Sequence, residues 1–344
     1  MKPRNINLDL VRIIASFMVL SVHIGQHIGE NFDVGAKGVQ LFFILSGFLA
    51  FASLDSEASA IHYYKKRLIR ILPTYYFCLI LVYLEDIAVA VYDGVLLETL
   101  KGQCGIRFLR YVFFVHCFTP SSNWDMWNNH NALWTMSAFV GFYMVAPWLY
   151  KIIKNTYIGM VLVFGLLISR PWMMGLIQKL CSEYPKESHI EWFAASNPIT
   201  ELYCFVMGAV LFVAIKECRQ YIYISSLLLC FILSSLDWYG YEIAFVVLVF
   251  ASATSQNFTS NNKITKIVVW LSRGSFTLYL VHPIVLAVER RLWYRLDIHK
   301  EIIHGIVLYT VSILLAYFIY YCIISKIEQK ISTLIPCIIK SIKM

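Results

Sequence analysis

The sequence predicts an all-α fold, a polytopic transmembrane helical bundle of about ten spans, on three observations. Of its 344 residues, 59% are hydrophobic and only 15% charged, with mean hydropathy +0.65, against about 45–50% and about 25% in a soluble domain. Aromatic residues make up 16% of the chain, as expected where rings settle at two membrane interfaces. Apolar stretches near the roughly 20 residues that a spanning helix needs recur along the whole length. A charge at mid-bilayer costs about 2.5 kcal/mol or more on insertion scales, so scarce charge and abundant apolar surface belong together in a chain dissolved in lipid.

In chain order the expected spans are residues 8–28, 38–54, 71–92, 131–150, 157–178, 199–215, 221–236, 240–254, 270–289 and 303–325. The apolar stretch Leu109–Phe118 is too short to cross and is expected to re-enter the membrane or pack on it. No repeat, low-complexity tract or long linker divides the chain, so residues 1–344 read as one membrane-embedded domain. The first apolar segment carries Asp9 and Arg12, and no small-residue cleavage site follows it, so it is expected to stay as a span. With the N-terminus inside, the inner segments hold the larger share of Lys and Arg, including Lys65, Lys66, Arg67, Arg70, Lys151, Lys154, Lys326 and Lys330. That bias predicts both termini in the cytoplasm. Arg290, Arg291, Arg295 and Lys300 run against it locally. The excess of 29 basic over 21 acidic residues is therefore read as orientation charge, with no nucleic-acid partner. Nine cysteines are scattered without a C-x-x-C pair, so no metal site is expected from them.

The first span carries the sharpest signal. Asp9, Arg12, Ser16, His23 and His27 interrupt an otherwise apolar helix. Eleven steps of about 100° bring His23 back to within roughly 20° of Arg12, some 16 Å along the axis. Asp9 and Ser16 fall beside Arg12, and His27 one turn beyond His23. Such a stripe faces a bundle interior or a wet cavity and marks a pathway or reaction site. The plainer alternative is an interfacial Asp9–Arg12 ion pair with His23 as a packing residue.

The residues then resemble a family. Leu8-Asp9-Leu10-Val11-Arg12 through His23 is similar to the opening span of the acyltransferase 3 family, with its Arg, ten intervening residues and His. Gly38 to Phe48, with Phe42-Phe43 and Ser46-Gly47-Phe48, resembles the second span. Arg67-Leu68-Ile69-Arg70 followed by Pro73 and Tyr75 resembles the Arg-x-x-Arg segment before the third. Leu133-Trp134-Thr135-Met136-Ser137 with Phe142-Tyr143 and Pro147 resembles the fourth, and Ser275 to Pro283, with Leu278, Tyr279 and His282, the late pattern. The matches occur in order over most of the chain. One departure is plain: many members carry Glu shortly before the Phe-Tyr of the fourth span, and here Ala138, Phe139, Val140 and Gly141 fill that stretch.

The resemblance implies an acyl-CoA-dependent O-acyltransferase, in most such proteins an O-acetyltransferase. It would act in a bacterial inner (plasma) membrane on a hydroxyl of a cell-envelope glycan or lipid-linked carbohydrate. Acetyl-CoA would be a co-substrate, with no tightly bound cofactor. His23 is then the expected base, since an imidazole takes and returns protons near neutrality. Arg12 is left between two roles, holding the donor or balancing Asp9. Arg67 and Arg70, on one helical face at i,i+3, suit the donor's phosphates, and Lys65 and Lys66 enlarge the patch. Charge alone would equally make these four residues topology anchors. Ser46, Trp134, Ser137, Arg170 and His282 are expected cavity-lining residues, although Ser46 and Ser137 also suit helix-to-helix hydrogen bonds. Glu201 and Glu242 are candidate partners for Arg170. His116 and His130, with Trp124, Trp127 and Trp134, are expected on the outer side. The rival readings are a transporter or flippase for acyl groups or lipid-linked sugars, against which no repeat relates two halves, and a glycan polymerase.

Overall fold

The computed structural model describes residues 4–30, 35, 37–56, 59–103, 106–118, 131–181, 187–234, 240–256, 263–296 and 302–342. Among these the structure is all helical and contains no strand. The helices are α1 (Ile6–Ile28), α2 (Gly38–Ser56), α3 (Ala60–Tyr92), α4 (Leu96–Gln103), α5 (Ile106–Val112), α6 (Trp134–Ile152) and α7 (Thr156–Leu180). They continue as α8 (Glu187–Ala195), α9 (Leu202–Lys216), α10 (Gln220–Ser234), α11 (Gly240–Thr254), α12 (Lys263–Leu296), α13 (Ile302–Ile319) and α14 (Ser325–Ile342). A π turn, Tyr320–Ile324, joins the last two.

Local sequence explains where key helices begin and end. Asn5 caps α1 by accepting from the Leu8 N–H at 3.1 Å, which satisfies one of the orphan donors of a helix start. At the other end Gly29 takes φ 87° and returns its N–H to the Gly25 carbonyl, a left-handed stop that a Cβ would disfavour. Ser59 caps α3 through the His62 N–H. That cap starts α3 well before the span expected at residue 71, and it places Arg67 and Arg70 on the helix itself. Pro73, Pro147, Pro171 and Pro283 lie inside α3, α6, α7 and α12.

Among the described residues, six segments are long and apolar enough to cross a membrane: α1, α2, α3, α7, Lys263–Glu289 of α12, and Ile303–Leu334 across α13 and α14. The remaining four expected spans are helical as well. Three of them, α9, α10 and α11, have 15 residues each, about 22 Å of rise against a hydrocarbon core of about 30 Å. The short apolar stretch before residue 118 packs on α3, where Tyr75 and Tyr76 donate to the carbonyls of Tyr111 and Val112 at 2.7 and 2.9 Å. Lipid-facing surface is apolar, as at Trp172 on α7, which is 83% exposed.

The core is built on two close pairs, α2 with α9 and α1 with α12. In the first pair Phe43 stacks on Phe205 (4.4 Å between centroids) and Phe205 on Phe142 (4.5 Å). The backbones approach because glycines meet: a Cβ at Gly47 would lie 1.8 Å from the Phe205 carbonyl oxygen, and one at Gly208 1.8 Å from that of Ile44. Small residues allow this packing in membranes, where hydrophobic exclusion does not drive helices together. Gly47→Ala is therefore expected to destabilise the protein by about 3 kcal/mol, the upper part of the usual overpacking range. Thermal unfolding in detergent checks this. Gly165→Ala, where the added carbon meets nothing within 4 Å, should leave the midpoint unchanged.

Candidate active site

The polar stripe of α1 faces α12, and the two parallel helices meet in successive polar rungs. At the first, Arg12 Nη1 donates to Asp9 Oδ1 (2.9 Å) and to Ser272 Oγ (3.1 Å), while Ser272 Oγ donates to Asp9 Oδ1 (2.7 Å). Arg4 closes on Asp9 from outside, with Nη2 at 3.0 Å from Oδ1. One turn on, the Ser16 hydroxyl lies 3.0 Å from the Arg12 carbonyl oxygen and 3.3 Å from that of Ser275. The third rung is a pair of histidines, His23 and His282, with Nε2 of His282 3.1 Å from Nδ1 of His23. The fourth joins His27, Glu289 of α12 and His304 of α13.

The histidine pair fixes its own tautomers. His23 Nδ1 lies 2.9 Å from the Val19 carbonyl oxygen and His282 Nδ1 3.2 Å from that of Leu278. A carbonyl only accepts, so each neutral ring carries its proton on Nδ1. His282 Nε2 is then a lone pair that shares the His23 Nδ1–H with the Val19 carbonyl in a bifurcated bond, and the other lone pair of His23 is on Nε2. That is the state a general base needs. His282 is fully buried, whereas His23 is half-buried. Tyr279 lies beside His282 (6.2 Å between ring centroids) and anchors its hydroxyl on Thr135 Oγ1 at 3.0 Å.

Below the histidines, α1, α2, α3, α6 and α12 enclose a cavity of about 520 Å³ including its open mouth. Arg12, Arg67, Arg70, Ser46 and Tyr143 line it, with Phe42, Phe139 and Phe276 toward the core. Arg67 donates from Nη2 to the Leu49 carbonyl at 2.7 Å and lies over the rings of Tyr143 and Tyr63 at 5.0 and 5.5 Å. Among the described residues, Arg67 Nε and Arg70 Nη2 are buried without a well-formed hydrogen bond. Buried guanidinium donors left unsatisfied cost stability, and an anion in the cavity would satisfy them with charge-assisted bonds. Phe42 also packs edge-on against Tyr279, at 5.3 Å. This aromatic pair therefore stands between the arginine cavity and the histidines.

The sequence-derived candidates divide on this geometry. Arg12, Arg67, Arg70 and Ser46 come together at the cavity, and His282 joins His23. Lys66 is exposed on α3 and is not among the lining residues. Asp9 sits at the arginine end and positions Arg12, so Arg12 both pairs with Asp9 and faces the cavity. Arg170 is not among the lining residues and lies instead 3.4 Å from Glu201 Oε1 and 5.2 Å over the Tyr203 ring. Tyr203 in turn donates to Glu242 at 3.1 Å. Trp134 packs against Phe43 and Trp192, and Ser137 contacts His116 at 3.3 Å. His130, Trp124 and Trp127 lie outside the described residues. Phe139, in the stretch noted above as departing from the family pattern, puts an apolar ring into the cavity wall. Ser272 and Glu289 escaped the sequence reading, since nothing in their local spacing marks them, and Tyr143 entered it only as part of the fourth-span pattern.

An intramembrane histidine pair beside an arginine-lined cavity, held in an all-helical membrane bundle, is the class that fold and site define. The profile of the acyltransferase 3 family, described as an acyltransferase domain, matches residues 5–321, and the chain belongs to that family. Nodulation protein 10 of Rhizobium leguminosarum bv. viciae is similar, 26% identical over 205 residues, covering 52% of this chain and 53% of that protein. The chain thus matches about half the length of that relative. No solved structure matches the chain significantly.

Proposed function

We propose that the protein transfers an acetyl or other short acyl group from acyl-CoA to a hydroxyl of a cell-envelope glycan, in a bacterial plasma membrane with both termini cytoplasmic. The observation that carries this reading is the α1–α12 seam, which runs from the cavity that Arg12 shares with Arg67 and Arg70 of α3 to the His23–His282 pair. Arg67 and Arg70 bind the donor's phosphates, with Arg12 held beside them by Asp9 and Ser272. The pantetheine arm extends past Phe42 toward His23. His23 Nε2 takes the proton of the acceptor hydroxyl as its oxygen attacks the thioester carbonyl. The tetrahedral intermediate collapses, the C–S bond breaks, and the imidazolium returns the proton to the CoA sulfur. His282 Nε2 accepts from His23 Nδ1–H throughout and steadies the ring as it gains charge. The bacterial relative and the positive-inside bias support the location.

Mass spectrometry of the host's surface glycans tests the acceptor. Deleting the gene is expected to strip one acyl mass from each modified unit, and wild type to restore it. An unchanged glycan in a strain that makes and inserts the protein would contradict a glycan acceptor.

A further inference from the structure

The fourth rung of the seam has no part in the chemistry above, yet it gathers three metal-ligating groups from three helices. His27 comes from the end of α1, Glu289 from α12 and His304 from the start of α13. His27 Nε2 lies 2.5 Å from Glu289 Oε2, and His304 Nε2 meets the other carboxylate oxygen. The side chains are 3%, 12% and 3% exposed. The two imidazoles stand edge to face, 5.7 Å apart at 71°, so their Nε2 atoms converge on the carboxylate and do not stack side by side. All three ligand atoms lie within 4.8 Å of one another.

We infer that His27, Glu289 and His304 form a binding site for a divalent transition cation of the zinc class. Zinc takes imidazole nitrogen at about 2.0–2.1 Å and carboxylate oxygen at about 2.0–2.2 Å, so ligand atoms around a tetrahedral ion stand about 3.4 Å apart. Small rotations of three side chains already within 4.8 Å reach that spacing. Two histidines and one glutamate leave a fourth position for water. Magnesium and calcium are poor fits, because they require six or more oxygen ligands with at most a minority of nitrogen, and imidazole favours zinc, copper, nickel and iron. The helices are close enough to be clipped: a Cβ at Gly305 of α13 would meet Ile28 Cδ1 of α1 at 3.0 Å. The ion ties the ends of α1, α12 and α13 together one helical turn, about 6 Å, beyond His23, and so sets the position of the base.

Zinc itself is the probe. Tag-free full-length protein in detergent is stripped with chelator, incubated with micromolar zinc chloride, desalted and analysed by elemental mass spectrometry. About one zinc per chain is expected, with retention falling more than tenfold in His27→Ala and in His304→Ala but unchanged in His282→Ala. Zinc should also raise the thermal midpoint of wild type and leave that of His27→Ala where it is. Cobalt(II) bound to wild type alone should show intense visible ligand-field bands of a tetrahedral site, a readout independent of whether the variants fold. Wild type that holds no stoichiometric zinc and gives no such bands would overturn the site and leave a carboxylate hydrogen-bonded to His304 and ion-paired with His27. Zinc retained equally by the double variant His27→Ala/His304→Ala would overturn it as well.

Discussion

Replacing His23 by alanine is expected to lower kcat for acyl transfer about 10³-fold, the middle of the range for losing a general base, with KM for acyl-CoA little changed. The split follows from position. Arg12 and the cavity it lines lie about 16 Å along the helix from His23, so donor binding persists when the base is removed. Alanine at 23 leaves His282 Nε2 without its donor but opens no break in the α1 backbone, and the folded bundle should survive. The wild-type rate should fall on the acid side as His23 is protonated, because only the neutral ring takes a proton. That acid limb should be absent from the residual activity of His23→Ala. A variant with normal kcat and intact thermal unfolding would show that His23 is a packing residue.

The second large effect concerns the donor. Arg67→Ala combined with Arg70→Ala is expected to raise KM for acetyl-CoA about 10²-fold. Each hydrogen bond to a charged group contributes about 1.5–3 kcal/mol, and about 1.4 kcal/mol is a factor of ten. Arg67 also holds the Leu49 carbonyl and stacks on Tyr143, so a loss of packing must be separated from a loss of phosphate binding. Acetyl-pantetheine, which lacks the nucleotide phosphates, makes that separation. The double variant should use it about as well as wild type does. Equal losses with both donors would mean that the arginines act through the fold. Lysine replacements should recover only part of the affinity, because an ammonium cannot form the two parallel bonds of a guanidinium.

What was legible in the sequence is what local spacing encodes. The helical period places Arg12, Ser16, His23 and His27 on one face, and the structure turns that face to α12. The i,i+3 pair Arg67 and Arg70 does share a cavity, and Arg170 does find Glu201. What spacing does not encode is contact between distant segments. His23 and His282 are 259 residues apart, and no property of either segment states that they meet. The same holds for Ser272 on Asp9 and for Glu289 between His27 and His304. Trp134 and Ser137 were named for the cavity from the family pattern, Ser137 with a helix-to-helix hydrogen bond as its alternative; Trp134 packs on Phe43, and Ser137 meets His116. The span count shows a related limit. Apolar runs mark helices well, yet three of the ten runs form 15-residue helices whose length falls short of the bilayer core.

The most direct test of the account is transfer itself. Purified protein in proteoliposomes is given acetyl-CoA carrying a labelled acetyl group, together with the host's envelope glycan or its lipid-linked precursor. Label is expected on a carbohydrate hydroxyl, with free CoA released in equal amount, and about 10³-fold less of either with His23→Ala. Label that crosses the membrane without joining the glycan, or transfer that proceeds unchanged without His23, would contradict it.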